Sequence, residues 1–174
     1  MTALVPFLVG IFFYQHNLAN TEWYRMELFP FNLEGTSPKI ILYISAGLAI
    51  FAFLLNLARE VVKDMEDVEG DKELRANTLP ISIGLKNTKW FIAFTLILAI
   101  VAALLLIYLI EELNFTTALP GILAALIILL ASVLLYFAHS KSHYRRINHF
   151  IKLAMTVGLL TPVYWKILTT YVIN

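Results

Sequence analysis

Long apolar runs alternate with short polar connections along this chain, at the length a bilayer sets. Residues 40–58 and 90–110 carry no charge, residues 118–138 form a third such run, and residues 150–173 close the series. About 20 apolar residues cross the hydrocarbon core as a helix, so each run predicts a membrane-spanning helix. Residues 2–14 are apolar from the start but only about two-thirds of a spanning length. They lack the basic region that opens a secretory signal peptide and read as the back end of a spanning helix. Residues 15–39 mix polar side chains with Trp23, Tyr24, Phe29, Phe31, Pro30 and Pro38. That mixture fits a loop at the membrane–water interface, where Trp and Tyr concentrate. The pattern predicts an all-α polytopic membrane protein with four full spans and a partial N-terminal one. Residues 1–174 form a single transmembrane domain.

The connections also predict an orientation. Segment 59–89 holds Arg59, Lys63, Lys72, Arg75, Lys86 and Lys89, and 139–149 holds Lys141, Arg145 and Arg146. The opposite connections hold only Arg25 and Lys39, with no Lys or Arg in 111–117. Lys and Arg collect on the cytoplasmic side, while acidic residues count little in this bias. Segments 59–89 and 139–149 are therefore expected in the cytoplasm, and the chain is expected in the cell (inner) membrane.

Composition agrees with a lipid-solvated chain: 60% hydrophobic, 14% charged, with a mean hydropathy of +0.78. A net charge of +1 and scattered basic residues give no support for nucleic-acid binding. The absence of cysteine excludes disulfides and thiolate metal sites. Within the spans only Lys152 and Lys166 are ionisable, which leaves a carrier or channel poorly supported. Lys166, beside Trp165, reads as snorkelling to the outer interface.

One stretch changes the picture. All three aspartates of the chain, Asp64, Asp67 and Asp71, lie in the polar extension of the first full span, together with Glu60, Glu66, Glu69 and Glu73. At about 100° per residue, Asn56, Glu60, Lys63, Asp64, Asp67 and Asp71 fall on one helical stripe, with Glu66 and Glu69 on the solvated side. Gly70 is a possible helix end that would detach Asp71. Crowded carboxylates call for a cation or raised pKa values. An all-oxygen ligand set without His or Cys suits Mg²⁺ or Ca²⁺, and Mg²⁺ commonly shares its shell with phosphate oxygens. Arg59, Lys63, Lys72 and Arg75 offer donors to the same phosphate. Beside apolar helices, this chemistry fits a lipid diphosphate; a solvated, charged helix end between two spans is the plainer alternative.

Arg59-Glu-Val-Val-Lys-Asp-Met-Glu-Asp-Val-Glu-Gly-Asp71, followed by Thr78-Leu-Pro and Gly84, resembles the second aspartate-rich motif of the UbiA superfamily of intramembrane prenyltransferases. Within it, the segment is most similar to digeranylgeranylglyceryl phosphate synthase-like members. The resemblance covers about 30 residues and implies the second half of a nine-helix bundle. It implies Asp67 and Asp71 as Mg²⁺ ligands, with Asp64 as a third, and Lys63, Arg59 and Lys72 as contacts to a prenyl diphosphate. The three aspartates would then be the catalytic set for prenyl transfer to a hydrophobic acceptor, either a geranylgeranylglyceryl phosphate-like lipid or a quinone precursor. The family's first motif, Asn-Asp-x-x-Asp-x-x-x-Asp, is not found in these residues. Residues 2–14 would match the fifth helix entered part-way, so the chain is expected to begin in mid-protein. A non-catalytic membrane fragment is the alternative.

Smaller signals are weaker. His139 and His143 have the spacing to share a metal on a helix face, yet Lys141, Arg145 and Arg146 would repel it. A basic loop meeting anionic head groups is the better expectation. Asn56 suits either a site role or an interhelical hydrogen bond, and Pro120-Gly121 and Thr161-Pro162 mark helix starts or kinks.

Overall fold

The computed structural model describes Leu8, Ile11 and residues 38–109 and 115–171. The interfacial loop expected over 15–39 and the partial helix at 2–14 lie almost wholly outside these residues, as does most of the 111–117 turn. Six helices follow in order: α1 (Pro38–Glu66), α2 (Val68–Glu73), α3 (Leu79–Ile83), α4 (Leu85–Leu109), α5 (Phe115–Tyr136) and α6 (Lys141–Tyr171). There are no strands among the described residues. Among them, α1, α4 and α5 are long and apolar enough to cross a membrane. The fourth predicted span lies within α6, where the side chains of Trp165 and Lys166 are outside the described set.

The four long helices form a ring in which α1 packs on α4 and α6, and α5 packs on α4 and α6. Successive helices run in opposite directions. Buried positions recur at alternating spacings of three and four: Phe51, Leu55, Ala58, Val62 and Met65 on α1, and Tyr144, Ile147, Ile151 and Ala154 on α6. Ala124, Ile128, Ala131 and Leu135 repeat the pattern on α5. A mean spacing of 3.5 keeps one seam facing the neighbour and is the signature of left-handed, knobs-into-holes packing. Large side chains such as Trp90, Phe94, Leu105 and Leu126 point outward, which in lipid carries no penalty. The hydrophobic effect does not draw helices together in a bilayer, so close backbone approach must do so. Small residues allow it. A Cβ on Gly121 would come within 2.8 Å of Ile107 Cδ1, and one on Gly158 within 2.9 Å of the Phe51 ring.

Two local devices carry the chain from α1 into α4. The first is a helix end at residues 70–76. The Ala76 N–H bonds the Asp71 carbonyl at 2.9 Å and the Arg75 N–H bonds the Lys72 carbonyl at 3.2 Å. Arg75 has φ 54°. This is a Schellman turn with Arg75 in the left-handed position that glycine usually fills. Gly70, the end expected from sequence, lies inside α2 with open space around it. Arg75→Gly is expected to stabilise the fold by about 1 kcal/mol, read as a higher unfolding midpoint in detergent; a fall would refute the left-handed assignment.

The second device is the Thr78-Leu-Pro…Gly84 corner. Thr78 is extended at the N-cap of α3, Pro80 is buried at its start, and Gly84 has φ 82°. Leu79 packs against the main core. The Thr88 N–H and hydroxyl both bond the Gly84 carbonyl, at 3.1 and 2.9 Å. This part of the motif is therefore a structural corner that redirects the chain, and glycine is needed where φ turns positive.

Candidate metal–diphosphate site

The apolar part of α1 stops at Ala58, and its last two turns project as a charged end. Helical hydrogen bonding reaches Asp67 and resumes after it: the Asp67 N–H bonds the Lys63 carbonyl and the Asp71 N–H bonds the Asp67 carbonyl, both at 3.0 Å. The break between α1 and α2 falls on Asp67, with φ −104° and ψ 10°. The three aspartates nonetheless stay neighbours across the break, since, besides burial, Asp71 and Asp67 both act to raise the Asp64 carboxyl's pKa. All three are partly exposed, and Lys63 and Lys72 are exposed beside them.

Electrostatics mark this crowding. Partial burial, then Asp71 and Glu60, push the Asp64 carboxyl above its usual 3.8; Lys63 opposes them and Asp67 adds to the rise. The folded chain thus holds this proton more tightly than the unfolded chain. The ionised carboxylate costs stability above the raised pKa, and the cost disappears as pH falls below 3.8. The donor set fits a hard divalent cation, which would relieve that repulsion. Among the described residues, no three acidic or histidine side chains already converge as metal ligands.

The histidine-rich connection also leans on this stretch, with Lys141 and Arg145 still mostly exposed. Lys141 Nζ lies 3.0 Å from Asp67 Oδ1, and Arg145 Nε lies 3.0 Å from Glu66 Oε1. The Glu66 side chain is only 12% exposed, so its expected place on the solvated side is corrected: it fastens α1 to α6. His143 Nδ1 accepts the His139 N–H at 3.3 Å, which uses this ring in the turn and removes support for a shared metal. Nearby, Lys89 and the Tyr144 hydroxyl both donate to the Ala138 carbonyl at the end of α5, satisfying a helix terminus. A double-mutant cycle of Glu66→Gln and Arg145→Gln should give a coupling of about 0.5–1 kcal/mol that shrinks with salt, because Arg145 is mostly exposed. Zero coupling at low salt would remove the fastening role.

Arg59 occupies a different place from Lys63 and Lys72. It pairs with Glu60 through Nη2 and lines a cavity of about 700 Å³ between α1 and α6, together with Asn56 and Lys152. Sequence reading placed Asn56 on the aspartate stripe, and the structure makes it a wall of this chamber. Lys152 went unassigned. The available signal was its position, an ionisable group just inside a span.

Known proteins resemble this chain in sequence and in fold. A digeranylgeranylglyceryl phosphate synthase of Methanosphaera stadtmanae is 34% identical over 116 residues, covering 66% of this chain and 42% of that protein. The Pyrococcus furiosus protein of the same name is 43% identical over 90 residues, covering 52% of this chain and 31% of the relative. These matches span less than half the length of either relative. A solved structure of a digeranylgeranylglyceryl phosphate synthase in membranes superposes with a TM-score of 0.61 at 22% identity, over 96% of this chain and 62% of that one; this likeness bears on fold. The sequence model of the UbiA prenyltransferase family matches residues 2–155. That match covers most of these residues, and the chain belongs to the UbiA prenyltransferase family.

Proposed function

We propose that this chain carries a metal–diphosphate face of a Mg²⁺-dependent intramembrane prenyltransferase, moving a prenyl group from its diphosphate to a hydrophobic acceptor. The observation that supports it best is the crowding of Asp64, Asp67 and Asp71 at the end of an apolar helix, where Asp71 and Asp67 both act on the Asp64 carboxyl. In this reading the three carboxylates hold Mg²⁺. Lys63 and Lys72, with Arg59 at the inner edge, meet diphosphate oxygens through charge-assisted hydrogen bonds. When bound, Mg²⁺ supplies Lewis-acid neutralisation of the leaving diphosphate. The apolar helices keep water from the allylic carbon as it develops positive charge, so that the acceptor takes the prenyl group.

The relatives' name favours a geranylgeranylglyceryl phosphate-like acceptor over a quinone precursor. The basic connections favour a cytoplasmic site in the cell membrane, and their meeting at one end of the bundle through the Lys141 and Arg145 pairs agrees with a shared side. A second reading, a segment that binds diphosphate without catalysing transfer, draws on the small share of each relative's length that these residues match. Membranes carrying the chain, given radiolabelled geranylgeranyl diphosphate and an acceptor, separate the two. Mg²⁺-dependent product supports transfer, and Mg²⁺-dependent binding without product supports the second reading. Failure of both removes the proposal.

A further inference from the structure

The cavity between α1 and α6 is graded along its length. The two helices are antiparallel, and the Glu66–Arg145 pair fixes their register at the charged rim. Seven residues inward on each helix, about 10.5 Å at 1.5 Å per residue, stand Arg59 on α1 and Lys152 on α6. They therefore lie at one level on facing walls of the same cavity. About one turn deeper come Asn56 and Thr156, and below them the walls are apolar, with Leu48, Phe51 and Leu159. The lining residues of α6 recur at Lys152, Met155, Thr156 and Leu159, a continuous helical stripe. Arg59 lines the cavity, while its Nε is buried without a hydrogen-bond partner among the described residues.

We propose that this cavity is a lipid-phosphate site adjoining the aspartate cluster, with Arg59 at the boundary between the two. Arg59 and Lys152 take the monophosphate head of a single-chain isoprenoid lipid, Asn56 and Thr156 meet its glyceryl oxygens, and its chain lies on the apolar walls. The inference rests on the prenyltransferase reading and assigns the acceptor's head group to Lys152, a residue outside the aspartate motif. Two cations at one level match a phosphate dianion, and the exposed Lys152, Thr156 and Leu159 leave the cavity open to a lipid along α6. Gly158 lets the Phe51 ring close the deep end.

The test is direct binding to the purified 174-residue chain in detergent without Mg²⁺. The probes are ³²P-labelled geranylgeranylglyceryl phosphate, tritiated geranylgeranylglycerol without the phosphate, and a two-chain anionic phospholipid as competitor. The phosphate probe is expected to bind about tenfold or more tighter than the alcohol. Lys152→Met should remove most of that difference while leaving alcohol binding unchanged, and Lys152→Arg should restore it. Equal binding of phosphate and alcohol overturns the proposal, as does an unaffected Lys152→Met chain or displacement by equimolar two-chain phospholipid. Mg²⁺-dependent binding of geranylgeranyl diphosphate, run in parallel, isolates the other site. Its failure with phosphate-probe binding intact would defeat the prenyltransferase reading alone. A Lys152→Met effect confined to the diphosphate would defeat this one alone.

Discussion

Asp67→Ala combined with Asp71→Ala is expected to weaken Mg²⁺-dependent binding of a prenyl diphosphate by about a hundredfold or more, with any transfer activity falling in step. Each carboxylate contributes a charge-assisted contact of about 1.5–3 kcal/mol, and about 1.4 kcal/mol is one decade of affinity. The two carboxylates sit four residues apart across the α1–α2 break, joined by the Asp71 N–H to Asp67 carbonyl bond. Replacing them leaves that backbone bond intact, so the effect should appear in ligand binding rather than in folding. The measurement is isothermal titration of the purified chain with geranylgeranyl diphosphate at several Mg²⁺ concentrations. Unchanged Mg²⁺-dependent binding in the double variant would sink the ligand assignment. Glu69→Ala, on the outer side of α2, serves as the control and is expected to bind as the parent does.

The second large effect concerns the seam between α1 and α4. A Cβ on Gly47 would run into the Leu106 side chain, within 2.8 Å of its Cγ, so this contact is close helix against branched side chain. Gly47→Ile is expected to lower stability by about 2–3 kcal/mol through overpacking, and Gly47→Ala by less. Leu106→Ala in the Gly47→Ile background should recover much of the loss, because the added volume then has somewhere to go. Unfolding of the chain in mixed micelles by denaturing detergent reads both. Additive losses in the double variant would show that the two residues do not meet.

These two regions were unequally legible in the sequence. Spans and charged end announce themselves through uninterrupted apolar runs and through three aspartates at i, i+3 and i+7, which need only a helix to converge. The packing faces do not, because α4 and α5 are apolar all round and hydropathy carries no period to read. Residue size carried the missing signal: Gly121, Ala124 and Ala131 line one seam while Leu126 and Leu129 face away. Glu66 was misplaced for a different reason. Projection of α1 alone makes every residue off the stripe solvated, and the partner, Arg145, arrives from 79 positions along the chain. Arg75 was invisible as a helix end since Gly70 stood nearby with the stronger intrinsic claim. The aspartates' convergence into a common ligand shell depends on side-chain rotamers, which no residue pattern specifies.

The pair between Lys141 and Asp67 changes what arrival of a divalent ion would mean at this surface. A carboxylate already holding an ammonium group is not a vacant acceptor, so binding becomes an exchange of partners. The freed lysine stays tethered within reach of whatever anion accompanies the metal. Monovalent salt then acts in opposed directions: it screens the incoming ion and also loosens the incumbent. In the proposed site, an acidic stretch built this way would respond to ionic strength less steeply than a set of unpaired carboxylates.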